Sequence, residues 1–184
     1  MIALEDGQMA AFKEMIAIRA YDVADFDQVV ALFIRINREL APAHMREQFE
    51  RYIAIGIDGE LKQLPDLFSA ARRNAFWVVE AGGLIVGMLG IEACGANRTE
   101  LRRMYLDKPY RGRGLAQRML ASAEARAREF GFTKMVLSTA EVQRAAIAFY
   151  RKSGYHLVKT ELASTMSSKT VGGGLTRFYF EKQL

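Results

Sequence analysis

Cysteine, histidine, proline and tryptophan are scarce in this chain of 184 residues, which holds one, two, three and one of them. A single cysteine, Cys94, excludes an internal disulfide and fits a reducing cytoplasm. It lies in an apolar, strand-like stretch, where a small buried packing residue is expected. Two isolated histidines, His44 and His156, with no His-Glu-x-x-His and no paired cysteine motif, give no metal-ligand spacing, so no metal is expected. Nucleophile-elbow and P-loop patterns are both missing. No apolar run is long enough to span a bilayer. The N-terminus carries Glu5 and Asp6 and lacks a basic-then-apolar signal pattern, so the expected location is cytoplasmic. Without repeats, low-complexity linkers or proline-rich stretches, the expected organisation is one domain over 1–184, with 1–13 as an N-terminal extension.

What is present is a concentrated positive charge. The net charge is +5, which by itself admits nucleic acid, a membrane surface or an acidic small molecule as partner. The distribution narrows this. From Leu101 to Arg118 the charged residues are Arg102, Arg103, Lys108, Arg111, Arg113 and Arg118 against the single acid Asp107. The excess sits around a glycine-rich turn, Arg111-Gly112-Arg113-Gly114-Leu115-Ala116, rather than along a tail.

Periodicity gives the elements. Met15 to Arg19 reads as a strand. Asp25-Phe26-Asp27-Gln28 resembles a capping box ahead of Val29, Val30, Phe33 and Ile36 at helical spacing. Met45, Phe49, Tyr52 and Ile53 suggest a second helix ending near Gly56 and Gly59, and Pro65 opens a short helical turn through Arg72. Ala75 to Glu80 and Leu84 to Ala93 read as a hairpin about Gly82-Gly83, with Glu100 to Leu106 as the next strand. An alanine-rich helix then runs to about Phe130, capped by Gly131. Lys134 to Ser138 is a short buried strand and Val142 to Ser153 a helix. Tyr155 to Glu161 and Leu175 to Lys182 complete the strands. A strand-helix-strand core inside a run of hairpins implies one parallel pair in an otherwise antiparallel sheet.

The glycine turn falls between a strand and a helix. There the unsatisfied N–H groups and the positive end of the helix dipole form an anion site. Its glycines admit close approach of a ligand, and its arginines suit phosphate. The dinucleotide fingerprint G-x-G-x-x-G is not met, because only G-x-G is present and antiparallel strands precede it. The pattern [Arg/Gln]-x-x-Gly-x-[Gly/Ala], followed downstream by Ala146-x-x-Phe149-Tyr150-x-x-x-Gly154-Tyr155, resembles the GNAT superfamily of acetyl-coenzyme A-dependent N-acyltransferases. The likeness is strongest from about Ala75 to Thr160.

That resemblance implies an α/β fold (α+β by some schemes). Its sheet is mixed and mostly antiparallel, with a splayed parallel strand pair and helices on both faces. It implies acetyl-CoA as co-substrate. The pyrophosphate would lie on the main chain of Arg111, Gly112, Arg113, Gly114, Leu115 and Ala116, and the pantetheine arm along Met104, Tyr105 and Leu106. The Met104 N–H would polarise the thioester carbonyl. Tyr150 matches the tyrosine that protonates the departing thiolate, and Glu100, eleven residues before Arg111, matches a general base found in some members. Glu100 equally reads as a solvated strand acid paired with an arginine such as Arg102, and Glu92 is a second candidate base. Gln143 stands where the family commonly has an asparagine touching the cofactor arm, one methylene longer than the pattern.

The implied reaction is direct transfer of an acetyl group to a primary amine in a ternary complex. Cys94 has nothing nearby in sequence to activate it as a covalent nucleophile. A non-catalytic acyl-CoA sensor and a basic nucleic-acid-binding module are the alternative readings. The resemblance places the acceptor pocket at about Ile36 to Arg73 and Ser164 to Gly174. The acceptor, a small-molecule or peptide amine, stays open among small amines, amino acids, antibiotics and protein N-termini or lysines. No nucleic acid or membrane partner is expected, and the apolar strand from Leu175 offers a homodimer contact.

Overall fold

A computed structural model describes residues 16–184; the extension 1–13 and Met15 lie outside the described residues. Strand β1 (Ile16–Ala20) leads into helix α1 (Phe26–Leu40), which buries Val29, Leu32, Phe33 and Ile36 along one stripe. The capping box lies one turn ahead of its expected place. Asp22 accepts from the Ala24 N–H at 2.9 Å, and the Asp25 carboxylate reaches back to the Asp22 N–H at 2.9 Å. Asp25 is thus the reciprocal member of the box. Its carboxylate is also gripped by Arg19 at 2.7 and 2.8 Å, which lowers its pKa. Helix α2 (Arg46–Gly59) passes through Gly56 and ends at Gly59, the second of the two glycines expected to close it. A Cβ on Gly56 would stand 2.8 Å from Phe33 Cζ, so this glycine permits α1 and α2 to approach closely. A short α3 (Leu64–Leu67) carries Pro65 in its first turn as expected, but it stops at Leu67, and a separate turn covers Ala70–Arg72.

The remaining elements follow the expected order: β2 (Ala75–Ala81), β3 (Leu84–Gly95), β4 (Arg98–Leu106), α4 (Leu115–Glu129), β5 (Lys134–Ala140), α5 (Arg144–Lys152), β6 (His156–Ala163) and β7 (Leu175–Gln183). The described strands form one seven-stranded sheet in the order β1-β2-β3-β4-β5-β7-β6. All neighbours are antiparallel except β4 and β5.

The central strands of the sheet are covered on both faces and alternate between two cores, while the edge strand β6 is largely exposed. On β2, Val79 faces the core under α4 and α5, with Met119, Ala123 and Tyr150. Its neighbour Val78 faces the core under α1 and α2, with Phe33 and Phe49. Cys94 is half-buried near the end of β3, not enclosed as expected; burial still pushes its thiol pKa up. Strand β7 is also placed differently from the homodimer expectation. It lies inside the sheet between β5 and β6, and its ladder is paired on both sides. No helix among the described residues is long and apolar enough to cross a membrane.

Candidate active site

After β4 the chain makes a short turn, Lys108–Tyr110, capped by Asp107, and enters the glycine segment. Gly112 and Gly114 both hold left-handed φ values, 76° and 77°. A Cβ on either would meet no protein atom within 4 Å. Backbone conformation, rather than crowding inside the protein, therefore calls for glycine there. Gly114 is the N-cap of α4 and offers no side chain to its end. The ladder bond from the Arg118 N–H to the Gly114 carbonyl spans 3.2 Å. The amides ahead of it project from the positive end of the helix. The Arg111 side chain does not join them. Its Nε donates to the Leu106 carbonyl at 2.8 Å and its Nη1 to Glu39 at 3.0 Å, fastening the turn to β4 and α1.

Strand β4 has two departures from a regular ladder, and both fall beside this turn. Its parallel register with β5 runs from Arg98↔Lys134 to Glu100↔Val136 and stops. Beyond Glu100 the two strands part, which is the splay the family resemblance implied. On the β3 side, Gly90 pairs with Arg102 and Met88 with Tyr105, so Leu89 alone faces Arg103 and Met104. Arg103 adopts φ 51° at this bulge. A non-glycine residue in the left-handed region costs about 1–2 kcal/mol. The bulge interrupts side-chain alternation, so Arg102 and Arg103 point to the same side of the sheet. It also leaves β4 main chain around Met104 with an incomplete ladder on each side.

The gap between β4 and β5 opens into a cleft lined by Glu100, Met104, Tyr105, Gln143, Tyr150 and Lys169, among others. Tyr150, on α5, stacks edge-on against Phe149 and Tyr155 with ring centroids at 5.4 and 5.8 Å. Burial raises its phenol pKa, so the hydroxyl keeps its proton through neutral pH. The Gln143 side-chain oxygen accepts from the Thr139 hydroxyl at 2.7 Å and the Ala140 N–H at 3.3 Å. Half of its amide is thereby spent on closing the end of β5.

Glu100, Arg102, Arg103 and Lys169, which line the cleft, belong to a charge cluster. Glu60, at the end of α2, is buried and takes Arg102 at 2.6 Å and Arg103 at 2.9 Å on the same oxygen, Oε2. Its Oε1 has no hydrogen-bond partner. Arg103 also donates to the Tyr52 hydroxyl at 2.8 Å, and its guanidinium lies 4.7 Å over the Phe33 ring. Burial opposes the Arg103 charge, but Tyr52, Tyr105 and Glu60 outweigh it and raise its pKa. Arg102 also binds Glu92 at 2.6 Å. Glu100 is held mainly by Lys169, at 2.7 Å, while Arg102 stands 3.9 Å away. The arginines that made Leu101–Arg118 look like a basic face are thus partly interior: Arg102 and Arg103 are 7% and 8% exposed. Lys169 and Arg177 were not singled out from sequence. Lys169 lies in a Ser/Thr/Gly-rich connection without periodicity, and nothing in spacing marks it.

The fold is that of the GNAT acetyltransferases. Solved structures with this fold include a GNAT-family acetyltransferase from Staphylococcus aureus Mu50. It has a TM-score of 0.72 at 18% identity, covering 92% of this chain and 99% of that one. Another is the PaiA N-acetyltransferase from Thermoplasma acidophilum in complex with coenzyme A, with a TM-score of 0.71 at 19% identity and the same coverages. The chain belongs to the acetyltransferase (GNAT) family, whose model matches residues 34–155. Among curated relatives, the uncharacterized N-acetyltransferase YjgM of Escherichia coli K12 is 34% identical over 59% of this chain and 66% of its own length. Rat N-acetyltransferase 8 is 26% identical over 59% of this chain and 51% of its own length. The chain thus spans 66% and 51% of the length of these two relatives.

Proposed function

We propose that this chain transfers an acetyl group from acetyl-CoA to a primary amine by direct attack, within a single domain over 1–184. The observation that carries the reading is the coincidence, at one cleft, of the β4 bulge, the parting of β4 from β5, and the buried phenol of Tyr150. Each has a task. The outward amides from Gly112 to Ala116 seat the pyrophosphate. Main chain from Met104 to Leu106 pairs with the pantetheine arm, using hydrogen-bonding groups that no neighbouring strand takes up. The Met104 N–H stabilises the developing oxyanion; a donor of this kind is typically worth about 3–4 kcal/mol of barrier.

An amine is protonated at neutral pH and must lose a proton before it attacks. Glu100 faces the cleft and already holds an ammonium, that of Lys169, at 2.7 Å. It is the proposed base, with Glu92 beside it. Tyr150, its pKa raised by burial, delivers a proton to the sulfur as the C–S bond breaks. No covalent enzyme intermediate is required. Interior placement of Arg102 and Arg103 weighs against the nucleic-acid reading, which needs those charges at the surface.

Calorimetry with acetyl-CoA and thiol-release assays over a panel of amines test this directly. Saturable binding is expected, with thiol release dependent on the amine. Tyr150→Phe should lower turnover by roughly a hundredfold or more while the acetyl-CoA Kd stays nearly constant. Wild-type turnover in that variant removes Tyr150 from the mechanism, and absence of acetyl-CoA binding to the native chain removes the reading itself.

A further inference from the structure

The connection between β6 and β7 presents a lysine that the proposed reaction with an external amine does not use. Residues 167–170 close on themselves: the Ser167 N–H donates to the Thr170 carbonyl at 2.9 Å, and the Thr170 N–H returns to the Ser167 carbonyl at 3.2 Å. Two arginines from different strands pin this turn. Arg103 of β4 donates to the Ser168 carbonyl at 2.8 Å, and Arg177 of β7 donates to the Lys169 carbonyl. Both guanidiniums belong to buried residues. The two carbonyls flank the Lys169 Cα, so the root of this side chain is held on both sides. Its ammonium extends to Glu100 Oε2 at 2.7 Å and Glu92 Oε2 at 3.4 Å.

A surface lysine ordinarily gains little from an ion pair, because ordering its long side chain offsets the attraction. Here the ordering has been done by buried charges, whose desolvation is costly unless they are well partnered. The outcome is a primary amine beside the proposed base, in the same cleft as Met104 and Tyr150. That is the position of an acceptor.

We propose that Lys169 is an internal acceptor, a self-acetylation site of this chain; the inference rests on the acyl-transfer reading above. The Lys169 ammonium gives a proton to Glu100. Its Nζ lone pair then attacks the thioester carbonyl of acetyl-CoA, the C–N bond forms and the C–S bond breaks. The nitrogen sheds two protons in all. One passes through Glu100 to solvent, and the other balances the proton that Tyr150 supplies to the departing sulfur. The product is a neutral acetyl-lysine and a free thiol. Glu100 then loses its nearest cation, while Glu92 keeps Arg102 at 2.6 Å, and the seat at Glu100 opens to an external amine.

The test incubates the full chain with acetyl-CoA and follows each lysine by peptide mass spectrometry at several protein concentrations. The expected result is acetylation at Lys169 with a rate independent of protein concentration, because the amine is tethered. That rate should exceed those of the exposed Lys62, Lys152 and Lys159 by roughly a hundredfold. Glu100→Gln should slow it by roughly a hundredfold, and Lys169→Arg, at an exposed turn, should abolish it with the fold intact by circular dichroism. Even acetylation across the exposed lysines, or an unchanged rate in Glu100→Gln, overturns the proposal. So does an unmodified Lys169 in a chain that calorimetry shows to bind acetyl-CoA; absence of that binding overturns the acyl-transfer reading beneath it as well.

Discussion

Two regions meet on β4 and are assembled in opposite ways. At the end of the strand, the turn from Arg111 to Ala116 carries its chemistry within six consecutive residues, and through main chain: two left-handed glycines and the open end of α4. In the middle of the strand, chemistry is carried by side chains brought from far away. Arg102 and Arg103 meet Glu60 across 42 and 43 residues of sequence. Lys169 meets Glu100 and Glu92 across 69 and 77. The first region depends on conformation, and almost any side chain compatible with its φ values will serve. The second depends on charge in a poorly solvated place, where the identity of every partner matters. The donor half of the proposed reaction sits on the first and the acceptor half on the second.

The difference is sharpest at Glu60. Glu60→Gln keeps the shape but removes the one carboxylate shared by two buried guanidiniums, and breaking such a pair typically costs about 3–5 kcal/mol. Urea unfolding should show a fall of that size in midpoint-derived stability. A loss no larger than that of an exposed pair such as Arg38–Glu50 would mean that water compensates the cluster and would erase the contrast.

Gly114→Ala probes the other region. The added methyl meets no protein atom, so the cost is that of a left-handed alanine, about 1–2 kcal/mol. If the chain instead relaxes its φ, the amides turn away from the pyrophosphate. Stability measured by urea and acetyl-CoA affinity measured by calorimetry should therefore fall together. Unchanged affinity would show that the seat does not depend on the left-handed N-cap.

This division also explains how much could be read from sequence. The turn, α4, α5 and the β2–β4 meander were legible because their signals are local: glycines, caps and apolar spacing. The parallel pair followed from element order. The errors fall where tertiary contacts decide. Asp25 does stand at the N-cap of α1, but its carboxylate makes no cap bond there because Arg19 from β1 and the Asp22 N–H hold it. Of the two glycines expected to close α2, Gly59 is its end, while Gly56 is interior and set by a contact with Phe33 of another helix. Arg102 and Arg103 counted as surface charge because composition does not reveal the bulge that turns both toward Glu60. Lys169 was invisible for the same reason, since its neighbours in sequence say nothing of Glu100.

Arg111 tests the boundary between the two modes. Its position in the chain sets a permanent charge next to a phosphate seat, whereas its guanidinium is occupied by the Leu106 carbonyl and Glu39. If the seat is main chain, Arg111→Gln removes a fastener rather than a ligand. A hydrogen bond from a charged donor is worth about 1.5–3 kcal/mol at most, and less where, as here, the side chain is 40% exposed. The expected loss is thus about 1 kcal/mol in urea unfolding, with acetyl-CoA affinity reduced by less than about tenfold, equivalent to about 1.4 kcal/mol. The salt dependence of binding separates the two modes further. A seat built of amides should keep its salt slope in the variant, whereas direct ion pairing to phosphate should flatten it. A hundredfold loss of affinity with a flattened slope would move Arg111 from the scaffold into the binding site, and the turn would then resemble the charge cluster more than it differs from it.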